Sequence, residues 1–460
     1  MNLHRFMSLL CVLLVAVSCA GCMSGGDDDI NTTTAAPSTA PDTTAAPTTV
    51  APTTSAPSVT SAPPMVHSEC STGYINFDEG NGRYYPCDSP DDPEEVWSTD
   101  ILMTEGPVLV DYDRAYLFQS NYGTYEIKCY DVNTGEEYWY IETPFMSLED
   151  VLLKDGNLYM FQFDQPILHC YDAEDGSLLW SSLNVLDLYP EKYDIDLINM
   201  SYSNGKILAL MLPYDDITDW GGSILCCFNG TNGQLIWDFF TEDDFRTYPA
   251  IGNGNAYYTV ALNDARYDAS GNYAEALVGI DIDNGDYVLN TIKQEYEYNQ
   301  SDLIFSGGRL YTLVTRMDEA GHDGVPSVFN KYVMCFSTSG NQLWEEKLDG
   351  MTWYNLLLGN DKLFISSGSQ IICYDVSTHE DLWKLSIEHN LYNAPIITND
   401  KLILFRSDIG ATQQVIALDP ENGSELWSLD LEGLQISDSA TFYENMMLVA
   451  TNMGYLYCFA

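Results

Sequence analysis

The chain is 460 residues long and carries 68 acidic against 18 basic residues, a formal net charge of −50. A surface this negative repels phosphate backbones, which excludes nucleic acid as a partner class. Length alone would admit two or three domains, but internal repeats override that arithmetic, and they are present.

His4 and Arg5 make a short basic start, and residues 7–17 form an apolar run of signal-peptide length. The small residues Ala20 and Gly21 precede Cys22, and Val17-Ser18 precede Cys19. This pattern resembles a lipobox, so residues 1–21 are expected to be a lipoprotein signal peptide. Cys22 is the expected lipidation site, with Cys19 second. No later apolar run approaches the roughly 20 residues a membrane span needs. Membrane contact is therefore expected through the lipid alone, at the extracytoplasmic cell surface.

Residues 22–66 are dominated from position 31 onward by Thr, Ala, Pro, Ser and Val. Such a stretch has no large apolar side chains with which to offset chain entropy and reads as an extended stalk. Residues 67–93 form a cysteine-containing extension, in which a Cys70–Cys87 disulfide is expected. Cys87 also stands ten residues before Trp97, a spacing that makes Cys87–Cys458 the rival pairing.

From residue 94 to 460 one pattern returns: a small residue, an aromatic or apolar residue, often Asp, a Gly-containing turn, then Trp. It reads CYDVNTGEEYW at 129–139, CYDAEDGSLLW at 170–180 and CFNGTNGQLIW at 227–237. It continues as GIDIDNGDYVL at 279–289, CFSTSGNQLW at 335–344, CYDVSTHEDLW at 373–383 and ALDPENGSELW at 417–427. The Trp slots are Trp97, Trp139, Trp180, Trp237, Leu289, Trp344, Trp383 and Trp427, separated by 42, 41, 57, 52, 55, 39 and 44 residues. Each unit also holds three β-rich stretches joined by tight-turn residues such as Asp155-Gly156 and Asn204-Gly205. Four strands per unit, radially repeated, predict an all-β, eight-bladed β-propeller. The chain ends with Cys458 in the small slot and no Trp after it, while Trp97 has no small slot of its own blade before it. The N-terminal strand is thus expected to pair with the C-terminal one and close the ring, which removes an edge.

The Trp slots (Trp97, Trp139, Trp180, Trp237, Trp344, Trp383 and Trp427) should dock each blade on the next blade's Gly turn, the indole N–H finding a backbone carbonyl. Leu289 keeps the apolar contact without the hydrogen bond and should mark the weakest seam. Asp131, Asp172, Asp281, Asp375 and Asp419 suit Asx turns. Asp281-Ile282-Asp283-Asn284-Gly285-Asp286 could also be written as a Ca²⁺ loop, but it sits in register with the other turns.

The repeat resembles that of quinoprotein (pyrroloquinoline-quinone-like) propellers, A-x-D-x-x-T-G-x-x-x-W. Asp131, Thr134, Gly135 and Trp139 carry the likeness, as do Ala417, Asp419, Gly423 and Trp427. The resemblance implies the propeller fold and two functional branches. One comprises quinone-dependent dehydrogenases, with pyrroloquinoline quinone, Ca²⁺ and a vicinal disulfide. The other comprises non-catalytic lipoproteins of the outer-membrane-assembly type, which bind proteins; the Cys22 arrangement looks more like these.

The residues give the enzyme branch little. Cys226-Cys227 is the one vicinal pair, yet it lies in a strand, where neighbours point to opposite faces. No C-x-x-C-H appears, and His67, His169, His322, His379 and His389 do not pair at ligand spacing. No cofactor, metal or catalytic residue is therefore assigned, pyrroloquinoline quinone and Ca²⁺ included. The surplus of the three long units falls at 213–222, 263–275 and 316–330, with a long lead-in at 183–194. These insertions should wall one side of one face. Asp215, Asp216, Asp219 and Trp220, with Trp353 and Tyr354 on the same face, are the candidate binding residues. Sequons stand at Asn31, Asn199, Asn229, Asn299 and Asn422, of which Asn229 and Asn422 sit on repeat turns. The expectation is a monomeric, non-catalytic surface lipoprotein that binds a protein or a surface glycan.

Overall fold

The computed structural model describes residues 84–460 except 105–107, 122–123, 144–150, 163–164, 193, 215–220, 246, 263–274, 293–296, 300, 320–327, 349–354, 368–369, 388–390, 392–393, 408–412 and 432–435. Cys22, Cys70 and the segments assigned to signal and stalk lie outside these residues. The described chain forms eight successive antiparallel sheets, each a meander of four strands from inside to outside. The architecture is the expected eight-bladed β-propeller. The outer strands of blades 1 to 4 are Glu137–Thr143, Leu178–Asn184, Leu235–Thr241 and Tyr287–Ile292. Those of blades 5 to 8 are Gln342–Leu348, Asp381–Ser386, Glu425–Leu431 and Glu95–Asp100.

The expectation of four strands per blade needs one refinement. In blades 1, 4 and 5 the innermost strand is split into two short pieces, giving five-stranded sheets. In blades 4 and 5 a hydroxyl enters the ladder near the break: Thr247 Oγ1 accepts from Thr259 N at 3.1 Å and Ser301 Oγ from Leu313 N at 3.0 Å. A side-chain oxygen there replaces a backbone acceptor, so the split leaves no orphaned donor.

Burial follows strand rank. The third strand of blade 3, Ser223–Asn229, is buried over six residues, whereas the outer strand Leu178–Asn184 alternates exposed and half-buried. The apolar cores lie between sheets, not within them. One core joins Leu152, Tyr159 and Cys170 of blade 2 to Ile207, Cys226 and Phe228 of blade 3. The next joins Leu208, Leu225 and Cys227 of blade 3 to Tyr258, Val278 and Ile280 of blade 4. Cys226 and Cys227 therefore belong to different cores, as the two-residue period of a strand requires. Their thiols are free and buried.

In seven of the eight blades the first and second strands meet in turns that use left-handed backbone, at Asp155 (φ 51°) and Asn204 (φ 50°) for example. Such conformations favour Asn, Asp and Gly, which is why those residues mark the turns in the sequence. Ring closure follows the expected pairing: Glu95–Asp100 runs antiparallel to Tyr455–Phe459, with Trp97 opposite Cys458 and Asp100 opposite Tyr455. Glu94 and Ala460 exchange both backbone hydrogen bonds, at 3.2 and 3.1 Å.

The segment before that strand is bound to blades 7 and 8. Cys87 O accepts from Asn399 N at 2.9 Å, and Asp88 O accepts from Asn445 N at 3.3 Å. Lys401, 2% exposed, donates to Ser89 O at 2.9 Å and pairs with Asp91 at 2.9 Å and with Asp400. Trp427 Nε1 donates to Pro90 O at 2.7 Å. Blade 8 has no third-to-fourth turn because its fourth strand is Glu95–Asp100, which precedes blade 1 in sequence, and residues 84–91 take the place of that turn. The rival Cys87–Cys458 bridge is not made, since Cys458 is a free thiol and the Cys87 Sγ contacts Phe442 O at 3.6 Å. Cys70 lies outside the described residues.

Candidate functional site

The turns between third and fourth strands all lie on one face. On six blades the side chain at the Asp slot accepts the backbone N–H two residues on, at 2.7 Å for Asp131 and 2.8 Å for Asp172, Asn229, Asp281, Asp375 and Asp419. Asp375 accepts from Ser377 Oγ at 2.5 Å and from the backbone N–H groups of Thr378 and Ser377 at 2.8 Å each. Those bonds, the Ser377 hydroxyl foremost, hold its carboxyl down to about 2. In the segment that could be written as a Ca²⁺ loop, Asp281 and Asn284 cap Asp283 N and Asp286 N at 2.8 Å each. Asp172 and Asp175 do the same in blade 2, at 2.8 Å each. These oxygens are engaged in turn geometry common to the repeats, and among the described residues no group of three metal-ligating side chains occurs.

Each indole lies over the neighbouring turn. A Cβ on Gly135 would stand 2.5 Å from the Trp97 ring, so only glycine allows that approach. Trp97, Trp139, Trp237 and Trp383 donate to the carbonyls of Val132, Glu174, Ile282 and Pro420 at 3.1, 2.9, 3.0 and 3.1 Å. Ion pairs join the same face across seams: Lys206 with Asp283 between blades 3 and 4, and Lys362 with Glu421 at 2.6 Å between blades 6 and 7. The seam at Leu289 lacks an indole N–H, as expected. A second irregular seam was not expected: His379 (φ 62°) occupies the glycine position of blade 6. The Trp344 ring lies against it at 4.6 Å, tilted by 33°, and Trp344 Nε1 is buried without a hydrogen-bond partner.

The opposite face carries the hairpins between second and third strands. In blades 3, 4 and 5 they rise from Lys206–Tyr214 and Ser223–Asn229, from Asn255–Ala261 and Glu275–Asp281, and from Arg309–Glu319 and Val328–Ser337. Their tips, and with them Asp215, Asp216, Asp219 and Trp220, lie outside the described residues, as do Trp353 and Tyr354. The frame around them is described. In the lead-in of blade 3, residues Val185–Asp187 form a 3₁₀ turn capped by Asn184, whose side chain accepts from Leu186 N at 3.0 Å. Tyr189 donates to Asp238 Oδ2 at 2.6 Å, and Lys192 lies 4.4 Å over the Phe240 ring. Burial, then that carboxylate, pushes the Tyr189 hydroxyl well above its usual range. At the root of the blade 5 hairpin the Arg316 guanidinium lies 3.9 Å over Tyr332 and grips Glu345 of the outer strand at 2.8 and 3.0 Å. This strut joins residues 29 apart and left no mark in the repeat pattern.

One arrangement has the outline of nucleophilic chemistry. Ser181 Oγ lies 2.7 Å from His169 Nδ1, and His169 Nε2 lies 3.1 Å from Gln162 Oε1. Burial lowers the imidazole to about 4, however, which makes it a poor general base at neutral pH. The pair is a satisfied buried histidine between strands. The small-slot cysteines are equally inert: burial pushes Cys170, Cys373 and Cys458 up to about 12 and Cys335 to about 11, far from thiolate chemistry. Among the sequons, Asn199 is 1% exposed inside a strand and offers no acceptor, contrary to the expectation that placed it with the others. Asn422 is exposed, its side chain bonded to Asp419 at 2.6 Å and to Ser424 N at 2.8 Å.

Eight four-stranded blades docked through a small–Asp–Gly–Trp repeat define a quinoprotein-like β-propeller. The chain belongs to the family described as outer membrane protein assembly factor BamB, which matches residues 88–316 and 330–457. The match is interrupted across 317–329, at the tip of the blade 5 hairpin. Among solved structures, BamB from Moraxella catarrhalis is similar with a TM-score of 0.50 and 14% identity, over 80% of this chain and 99% of that one. The quinohemoprotein alcohol dehydrogenase ADHIIG from Pseudomonas putida HK5 is similar with a TM-score of 0.53 and 10% identity, over 85% of this chain and 80% of that one. At these identities the likeness is one of fold. No curated protein sequence matches the chain.

Proposed function

We propose that the chain is a non-catalytic, extracytoplasmic binding module, anchored by lipid at Cys22, that recruits a protein through the hairpin face of blades 3 to 5. The observation that carries this reading is the division of labour between the two faces. On the turn face, the Asx carboxylates fix their own turns, four indoles donate across seams to the neighbouring turn, and Lys206 and Lys362 pair with the next blade. Length beyond the needs of the fold is spent on the other face, in three consecutive blades. Long loops on a rigid scaffold are where binding residues concentrate. Membership of the assembly-factor family supports a protein as the partner.

Residues 84–91 lie on the turn face across blades 7 and 8, which leaves the hairpin face clear of this segment. Asp215, Asp216, Asp219, Trp220, Trp353 and Tyr354 are the proposed contact residues.

The test is a photo-crosslinking residue placed at 220 or 353 in the full-length chain in its native envelope. A discrete adduct lost when 215–220 is replaced by Asn-Gly, with melting unchanged, is the expected result. Adducts that persist after that replacement would sink the assignment. A melting shift with pyrroloquinoline quinone and Ca²⁺, together with dye-linked alcohol oxidation, would favour an oxidoreductase instead.

A further inference from the structure

Blade 5 is set apart by both of its outer seams. On the side of blade 4, the slot that elsewhere holds an indole holds Leu289, and its neighbours at Gly340 are aliphatic carbon and the Thr291 hydroxyl. On the side of blade 6, Trp344 meets His379 instead of glycine and its N–H is left buried and unbonded. Among the described residues, turn-bridging ion pairs occur at the blade 3–4 and blade 6–7 seams, Lys206–Asp283 and Lys362–Glu421, and none is described at either seam of blade 5. The inner part of the blade is held normally: Tyr257 of blade 4 stacks on Phe305 at 6.0 Å with an interplanar angle of 3°. The weakness is therefore confined to the rim. The outer strand Gln342–Leu348 is exposed except at Leu348 and the half-buried Trp344, as outer strands are in the other blades, so its docking depends on those seams.

That strand is mechanically joined to the hairpin face. Glu345 on it receives both guanidinium nitrogens of Arg316, which stands near the far end of Arg309–Glu319. Arg309–Glu319, with 11 residues, is the longest strand described, and it pairs with Val328–Ser337, which has 10. Movement of the rim strand must either pull on Arg316 or break its bidentate bond.

We infer that blade 5 is the movable sector of the ring: its outer strand detaches locally while the other seven stay docked, and the Arg316–Glu345 strut passes that motion to the blade 5 hairpin. The use of this motion, adjusting the binding face to a partner, rests on the function proposed above; the motion itself does not.

Hydrogen-exchange mass spectrometry on the full chain without any partner tests the motion separately. One hydrogen bond of ordinary strength is worth roughly tenfold in a local opening equilibrium. Amides of Gln342–Leu348 and Val328–Ser337 should therefore exchange about tenfold faster than those of Glu137–Thr143 and Ser223–Asn229. His379→Gly, and separately Leu289→Trp, should slow them toward the rates of the other blades. Glu345→Gln should leave the outer strand fast and slow the hairpin Arg309–Glu319. Equal exchange in all eight outer strands, or rates indifferent to His379→Gly, would overturn the inference. A hairpin unaffected by Glu345→Gln would overturn the coupling. Loss of partner crosslinking with the exchange pattern intact would count against the proposed function alone.

Discussion

The place where the two ends of the chain meet and the middle of the chain at blade 5 invert the ordinary expectation of strength. A ring closed by separate segments should be weakest at the join, since no covalent turn ties third strand to fourth. Here the join is the more heavily secured. It has a five-residue register from Glu95 to Asp100, a replacement acceptor at Pro90 and a buried lysine spanning Ser89, Asp91 and Asp400. Blade 5 has continuous backbone and lacks the indole hydrogen bond on both sides. Covalent continuity lets a seam be loose without the ring opening, whereas a non-covalent join has to be tight.

The sharpest way to break this comparison is to truncate the two indoles. Trp427→Ala should cost about 3–5 kcal/mol, as deletion of a buried, hydrogen-bonded tryptophan does. Trp344→Ala should cost distinctly less, because its N–H is already unbonded; denaturant titration reads both. Equal losses would mean that the closure is not privileged.

Acid should act elsewhere, at blade 2. Burial depresses His169 to about 4 from an ordinary value near 6.5, so the unfolded chain binds the extra proton between those values. Stability should be fully present above about 6.5 and fall as pH drops toward 4, by up to about 3 kcal/mol. His169→Gln should flatten that slope, as melting measured across this window would show.

Next in size is Lys401→Met, which removes a charged donor from Ser89 O and from Asp400 and should destabilise by about 1.5–3 kcal/mol. Limited proteolysis should then cut near residues 84–91 first. The smallest effect is expected for Lys362→Met. Its partner Glu421 is 69% exposed, and a pair so solvated contributes less than about 1 kcal/mol, shrinking with added salt.

What could be read in the sequence was whatever the ring repeats. The blade count, the Trp slots, the Asx turns and the offset closure recur or complete a period, so each blade corroborates the others. What could not be read occurs once. Pro90 carries no sign that its carbonyl stands in for a missing turn. His379 fills a glycine position in an otherwise regular CYDVSTHEDLW, and only its positive φ shows what that substitution does to Trp344. Asn199 looks like any other sequon until its strand places it between sheets. Lys401 and the Arg316–Glu345 strut are contacts between segments whose spacing follows no period. Of the candidate site, the three long hairpins were legible from surplus length. The identity of their contacts was not, because loop tips are released from the repeat that organises everything else.

The offset closure also orders events in time. During synthesis Glu95–Asp100 leaves the ribosome first among the strands, while its only described partner, Tyr455–Phe459, is made last. Until then the earliest strand has nothing to pair with, and Trp427 has no Pro90 carbonyl held in place beneath it. Joining segments so far apart carries a loop-closure cost that grows only slowly with length, but it cannot be met before Tyr455–Phe459 has been made. A nascent chain would carry an unfinished, circularly incomplete stack, with the finished ring appearing as one late step.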